Sequence, residues 1–181
     1  MQDLSYATAT YTSLGALLDY PSAEYGKKVV ACRDELAKNY PEATQAISQF
    51  LVQIADMPVE MLEELYTRTF DVAPLCIPYV TAYIYGGESF ERGDLMSKLA
   101  EIYQRYQFDT GGELPDHLGV LLKFAAHLDA GELEELVDYC LRRPLGDMVT
   151  CLEGSDNPFA LIIRAIRLVL NSDFPEEKQH G

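Results

Sequence analysis

The chain has 181 residues, of which 48% are apolar, enough for one domain with a sizeable core and too apolar for a disordered chain. A formal charge of −15 sets the surface against nucleic-acid phosphates and anionic lipid headgroups and in favour of basic partners. No uncharged apolar run reaches the roughly eighteen residues of a membrane span, so no transmembrane helix is expected.

Along the chain, helical periodicity dominates. The N-terminal stretch MQDLSYATATYTSL has no basic residue before its first apolar positions, which argues against a secretory signal or transit peptide and for a cytoplasmic protein. Leu14, Leu17 and Leu18 predict a first helix that stops before Pro21, and Val29, Cys32 and Leu36 predict a second. A third carries Ala43, Ile47, Phe50, Leu51 and Ile54 and is entered through Pro41. A fourth carries Leu62, Leu65, Tyr66 and Phe70 and is entered through Pro58; proline suits a first helical turn. The run YVTAYIY at 79–85 has strand-like composition but no partner strand, so it reads as a helix or an extended loop.

Leu95, Leu99, Ile102, Tyr103 and Tyr106 place a helix over 92–108. Leu118, Leu121, Leu122, Ala125 and Leu128 place another from Pro115 to Leu128. The stripe Phe159, Ile162, Ile163, Ile166, Val169 and Leu170 gives the last, followed by a polar, flexible tail over 171–181. The expected architecture is all-α: one helical bundle of roughly ten helices over 1–170, with neighbours joined by short loops.

Cys32, Cys76, Cys140 and Cys151 form no Cys-x-x-Cys spacing and read as separate thiols in a reducing compartment. Gly86-Gly87 and Gly111-Gly112 lie in no phosphate-loop or dinucleotide motif and read as turns, with Gly111 or Gly112 suited to a left-handed helix end. No cofactor or nucleotide is expected on the chain.

The corner GELPDHLGVLL (112–122) is the densest chemistry. Pro115 suits the first turn of the following helix, which places Asp116 among the free amides and His117 next to it. Three readings of Glu113, Asp116 and His117 stand side by side. Asp116 and His117 would serve as an acid–base pair, although neighbours on a helix do not face each other. All three would serve a metal-dependent hydrolase, although His127 and His180 give no supporting ligand spacing. Or the two acids stabilise a helix start and His117 is a boundary residue. Twelve tyrosines and no tryptophan mark the chain, and tyrosine suits apolar surfaces that also need a hydrogen bond. The acidic run DAGELEELVD (129–138) reads as a solvated helix face or an extra steering surface.

Three segments then carry a resemblance. LEELYTRTFDVAP (62–74), IPYVTAYIYGGESFERGDLMSKLAEIYQRYQFD (77–109) and GELPDHLGVLLKFAAHL (112–128) are similar to the NarJ/TorD/DmsD family of molybdoenzyme assembly chaperones. They stand nearest its nitrate reductase assembly branch. The likeness covers about 58–130. It implies an all-helical, non-catalytic protein that binds the N-terminal signal or signal remnant of the apo catalytic subunit of a molybdenum oxidoreductase. That subunit is held until its cofactor is inserted. It also implies a monomer or a domain-swapped dimer.

Carried onto this chain, the resemblance assigns Pro115, Asp116 and His117 to peptide binding, with Glu113 ahead of them. Tyr66, Phe70 and Asp71 match the family's first motif. Pro78 and Tyr79 match a position that often presents an aromatic. An apolar groove of Tyr66, Phe70, Tyr79 and Leu121, with Tyr83 nearby, would take a helix face. Glu113, Asp116 and Asp71 would meet its basic residues. Acids beside His117 would favour its charged form and make affinity depend on pH. A helical interaction module without a molybdoenzyme client is the remaining alternative.

Overall fold

The computed structural model describes residues 5–87 and 89–175, with side chains from residue 8 onward. Ten α-helices and two π-helical turns follow one another among these residues, which bears out the all-α bundle. They are α1 (Ser5–Ala16), α2 (Tyr25–Leu36), α3 (Pro41–Ile54), α4 (Val59–Tyr66), α5 (Val80–Tyr85), α6 (Phe90–Arg105), α7 (Leu118–Ala125), α8 (Ala130–Leu136), α9 (Arg142–Leu152) and α10 (Phe159–Asp173). The π turns, Thr67–Asp71 and Val137–Leu141, continue α4 and α8.

The apolar stripes explain the packing. α10 buries Phe159, Ile162, Ile163, Ala165, Ile166, Val169 and Leu170, and its main partners are α3 and α9. α3 answers with Ala43, Ala46, Ile47, Phe50 and Ile54. α7 is apolar nearly all round and buries seven of its eight residues, as a helix at the centre of a core must. It packs most closely on α1. That approach depends on two glycines. A Cβ on Gly15 would lie 2.7 Å from the carbonyl oxygen of Gly119, and one on Gly119 would lie 3.0 Å from that of Gly15. The two backbones therefore touch where the helices cross.

The expected boundaries shift in three places, each for a local reason. The stripe from Leu62 to Phe70 is one run, but its last turn widens to the π form, so Phe70 and Asp71 swing to a new heading. α6 closes at Tyr106 through Gln107, whose φ of 53° lets the Phe108 amide donate to the Tyr103 carbonyl at 2.9 Å. Gly111 and Gly112 do take left-handed φ values, 68° and 83°, but in a separate turn rather than at that helix end. Asn171, Ser172 and Asp173 belong to α10 rather than to the tail, and Asp173 accepts hydrogen bonds from Tyr11 at 2.6 Å and Tyr40 at 2.9 Å. Residues 176–181 lie outside the described residues.

The acidic run has a structural account. Asp129 caps α8 by accepting from the Glu132 amide, and Glu132 answers through the Asp129 amide, a reciprocal capping box. Glu132 also accepts from the Tyr106 hydroxyl at 2.7 Å. Among the described residues no helix is long and apolar enough to cross a membrane.

Candidate functional site

The Pro-Asp-His corner is not the first turn of a helix. Residues 116–118 lie beside 78–80 and form a single antiparallel bridge between Tyr79 and His117. The Val80 amide donates to the Asp116 carbonyl at 2.9 Å, and the Leu118 amide donates to the Pro78 carbonyl at 2.8 Å. Helix α7 starts only after this pairing, with His117 as its N-cap. Pro115 is thus a loop residue, and its carbonyl accepts from the Tyr103 hydroxyl at 2.7 Å. The strand-like composition of 79–85 is used at Tyr79 alone, and the chain turns helical at Val80.

Asp116 does not face solvent. It is fully buried; one carboxylate oxygen accepts from the Thr81 hydroxyl and lies 3.8 Å from the Arg92 guanidinium, while the other has no hydrogen-bond partner among the described residues. Arg92 in turn donates to Thr81 at 2.8 Å. The carboxylate therefore ties the corner to α5 and α6. It is not placed to meet a peptide, and it does not approach the His117 ring nitrogens as an acid–base partner would.

His117 is also buried, and its Nδ1 accepts from the Gly119 amide at 3.1 Å. An imidazole that accepts there is neutral at Nδ1 and carries its proton on Nε2. Burial lowers its pKa below the usual histidine value. Glu113, Asp19 and Asp116 pull upward and Lys123 downward, but loss of water outweighs them. The neighbouring acids do favour the charged ring, as expected, but burial is the larger effect and sets the net direction toward the neutral form. Glu113, Asp116 and His117 thus engage different neighbours and do not converge as a ligand set. Among the described residues no group of three or more His, Cys, Asp or Glu side chains is placed to hold a metal ion.

A consequence for stability follows. Because the folded state disfavours the imidazolium, stability is complete above the ordinary histidine pKa of about 6.5 and falls as pH drops toward the lowered folded value. Asparagine at the same place keeps an N-cap acceptor without titrating. Urea midpoints at about pH 7.5 and about pH 5.5 are expected to drop more for wild type than for His117→Asn. Equal drops would mean that the ring charge is not felt by the fold.

Beside this corner lies an open cavity of about 450 Å³. Its walls come from four places: Leu18, Asp19 and Tyr20 after α1; Tyr66, Phe70 and Asp71 from α4 and its π turn; Pro78 and Tyr79 from the bridge; and Thr110, Gly111, Glu113, His117, Val120 and Lys123 from the corner and α7. Tyr66 is pinned because its hydroxyl donates to the Leu18 carbonyl at 2.7 Å. Its ring meets Tyr20 edge-on at 5.4 Å and Phe70 at 5.2 Å, and Tyr79 meets His117 at 5.6 Å. Tyr79 reaches Glu113 through its hydroxyl at 3.3 Å. Val72, Leu75, Ile77 and Leu114, near the cavity residues in the chain, are exposed.

Three carboxylates serve this cavity. Asp19, Asp71 and Glu113 line it together with Tyr66, whose phenol pKa is raised by burial first and then by Glu113, Asp19, Tyr79 and Asp71. Burial, then Glu113, Asp116 and Asp71, act likewise on Tyr79. Asp19 pairs with Lys123 at 2.5 Å and with Lys28 at 3.9 Å. Among the described residues no lysine or arginine pairs with Asp71 or Glu113.

Of the residues singled out from sequence, Tyr66, Phe70, Asp71, Pro78, Tyr79, Glu113 and His117 meet at the cavity. Four do not. Pro115 and Asp116 sit behind it; Leu121 is wholly buried while its neighbour Val120 faces the cavity; and Tyr83 donates to the Ile77 carbonyl at 2.9 Å, bracing the loop before Pro78. Leu18, Asp19, Tyr20 and Lys123 carried no local signal in the sequence, because only the α1–α7 crossing brings them here.

An all-helical bundle with a tyrosine-walled acidic cavity at a bridged Pro-Asp-His corner defines a class, and comparison with known proteins gives it a name. Residues 33–161 match the family described as "Nitrate reductase delta subunit", well over half of the chain. The chain belongs to that family, so the resemblance read from 58–130 holds and extends further. It is 27% identical over 176 residues to the "Probable nitrate reductase molybdenum cofactor assembly chaperone NarJ" of Bacillus subtilis (strain 168), covering 95% of this chain and 94% of that one. It is 29% identical over 123 residues to "Nitrate reductase molybdenum cofactor assembly chaperone NarJ" of Escherichia coli (strain K12), covering 66% of this chain and 52% of that one. A crystal structure of a putative redox enzyme maturation protein from Archaeoglobus fulgidus superposes with a TM-score of 0.63 over 91% of this chain and 93% of that one. At 23% identity the likeness speaks to the fold.

Proposed function

We propose that the chain is a cytoplasmic, non-catalytic chaperone for a molybdenum oxidoreductase, with nitrate reductase or a relative as its client. It binds the N-terminal signal or signal-remnant segment of the apo catalytic subunit and holds that subunit while the cofactor is inserted. The relatives' names support the assembly role. One observation carries the binding mode: Asp71 and Glu113, without cationic partners among the described residues, stand over a cavity walled by Tyr20, Tyr66, Phe70 and Tyr79. Aromatic faces and open carboxylates together fit an apolar segment that also bears a basic residue. The net charge of −15 steers such a segment toward the surface before any contact forms.

Calorimetry with the N-terminal peptide of a nitrate reductase catalytic subunit tests the reading. A dissociation constant between micromolar and nanomolar is expected, about −8 to −12 kcal/mol. Asp71→Asn with Glu113→Gln is expected to weaken it by about tenfold or more, and to flatten its salt dependence. An unchanged affinity and salt dependence in the double variant would overturn this binding mode.

A further inference from the structure

The three carboxylates at the cavity are not equivalent. Asp19 lies at the α1–α7 end and already has an ammonium on it, Lys123 Nζ at 2.5 Å, with Lys28 at 3.9 Å on its other oxygen. Lys123 belongs to α7 and lines the cavity itself, about one-third exposed, so its charge faces whatever enters. Its stem is confined, since Lys123 Cγ lies 2.9 Å from where a Cβ on Gly15 would stand. Asp71 and Glu113 line the same cavity from the π turn and the corner, with Tyr79 bonded to Glu113. The cavity thus offers an acid that is already neutralised and two that are open.

We propose that Lys123 limits the charge the cavity accepts. It fills the cation slot at Asp19, so one basic side chain of a guest peptide is met by Asp71 and Glu113, and a second gains nothing. The inference rests on the peptide-binding reading above and adds the specificity residue and the number of cations. A second guest cation near Asp19 would have to displace a 2.5 Å ion pair and then stand beside the displaced ammonium. Like charges brought together in a partly desolvated site cost more than they return.

The test uses synthetic N-acetylated amphipathic helical peptides that share one apolar face and carry no lysine, one lysine or two lysines ahead of it. Each is titrated into wild type, Lys123→Met, Lys123→Arg and the double variant Asp19→Asn with Lys123→Met, at one fixed salt concentration. Lys98→Met, on α6 and paired with Asp94 at 2.7 Å, makes the same change in net charge away from the cavity. In wild type the first lysine is expected to tighten binding about tenfold and the second by less than about twofold. In Lys123→Met the second lysine is expected to add about fivefold or more, because Asp19 then keeps only the longer Lys28 contact at 3.9 Å and its other oxygen is vacated. Lys98→Met is expected to behave as wild type does, whereas Lys123→Arg, which keeps a cation on Asp19, and the double variant, which removes the acid, are each expected to gain less than about twofold from the second lysine, whatever their affinity for the first.

A second lysine that helps wild type as much as the first would overturn the inference while leaving the peptide reading intact. So would a Lys123→Met protein that gains nothing from the second lysine while binding the one-lysine peptide normally. Failure of every peptide to bind any of these folded proteins would overturn the cavity reading itself, and this inference with it.

Discussion

Asp116→Ala is expected to cost about 2–4 kcal/mol of folding stability, read as a fall in urea midpoint at neutral pH. The reason is burial of a charge that cannot leave quietly. Asp116 has no exposed surface, and its carboxylate accepts from a buried Thr81 hydroxyl and faces the Arg92 guanidinium at 3.8 Å. Removing it takes an acceptor from Thr81 and a countercharge from Arg92, whose Nε still donates to the Thr81 hydroxyl oxygen. Thr81 then has no carboxylate, and Arg92, whose side chain is 21% exposed, recovers only part of its loss from water. Asp116→Asn is expected to cost less, about 1–2 kcal/mol, since an amide oxygen still accepts from Thr81 while its NH₂ group takes the place of the unpartnered oxygen. If the alanine variant were as stable as wild type, the Thr81–Asp116–Arg92 cluster would not be holding the corner. Because Asp116 lies behind the cavity, the folded asparagine variant is expected to keep the salt dependence of peptide binding that the Asp71 and Glu113 changes remove.

That contrast shows where the sequence could and could not be read. Pro115 followed by an acid looks like a helix entrance because local rules favour proline and a carboxylate in a first turn. What overrides them is a pairing across some 38 positions, in which the backbones of 78–80 and 116–118 take each other's amides and carbonyls and delay α7 to Leu118. No local pattern announces such a partner. The core stripes were legible because a helix repeats its buried face every three or four residues, and Phe50, Ile47, Phe159 and Ile166 fell where that spacing put them. Leu121 was misplaced by one position for the converse reason. α7 is apolar nearly all round, Lys123 apart, so its apolar residues do not reveal which of them meets a cavity; Val120 does, and Leu121 is buried in the core. The motif residues Tyr66, Phe70, Asp71, Tyr79 and Glu113 came together as the resemblance implied. Asp19 and Lys123, 104 positions apart, were invisible until α1 and α7 were seen to cross.

That crossing gives the other large effect. Gly15→Ala is expected to destabilise by about 1–3 kcal/mol, in spite of the roughly 0.5–1 kcal/mol by which alanine outranks glycine inside a helix. The new Cβ would stand 2.7 Å from the Gly119 carbonyl oxygen, 2.9 Å from Lys123 Cγ and 3.2 Å from Leu122 Cβ. The first of these is backbone at the start of α7 and cannot swing aside, so the two helices must part. Gly146→Ala, in the middle of α9, supplies the control, since a Cβ there meets nothing within 4 Å. It is expected to stabilise by about 0.5–1 kcal/mol. The two substitutions are chemically identical and lie in helices of similar length, so opposite shifts of the urea midpoint isolate the contact from the propensity. Parting α1 from α7 also moves Asp19 and Tyr20 away from Lys123, His117 and Tyr79. Gly15→Ala is therefore expected to weaken peptide capture at temperatures where it is still folded, and Gly146→Ala is not. A Gly15→Ala protein as stable as wild type would show that α1 and α7 do not meet backbone to backbone, and the cavity walls would have to be drawn from other elements.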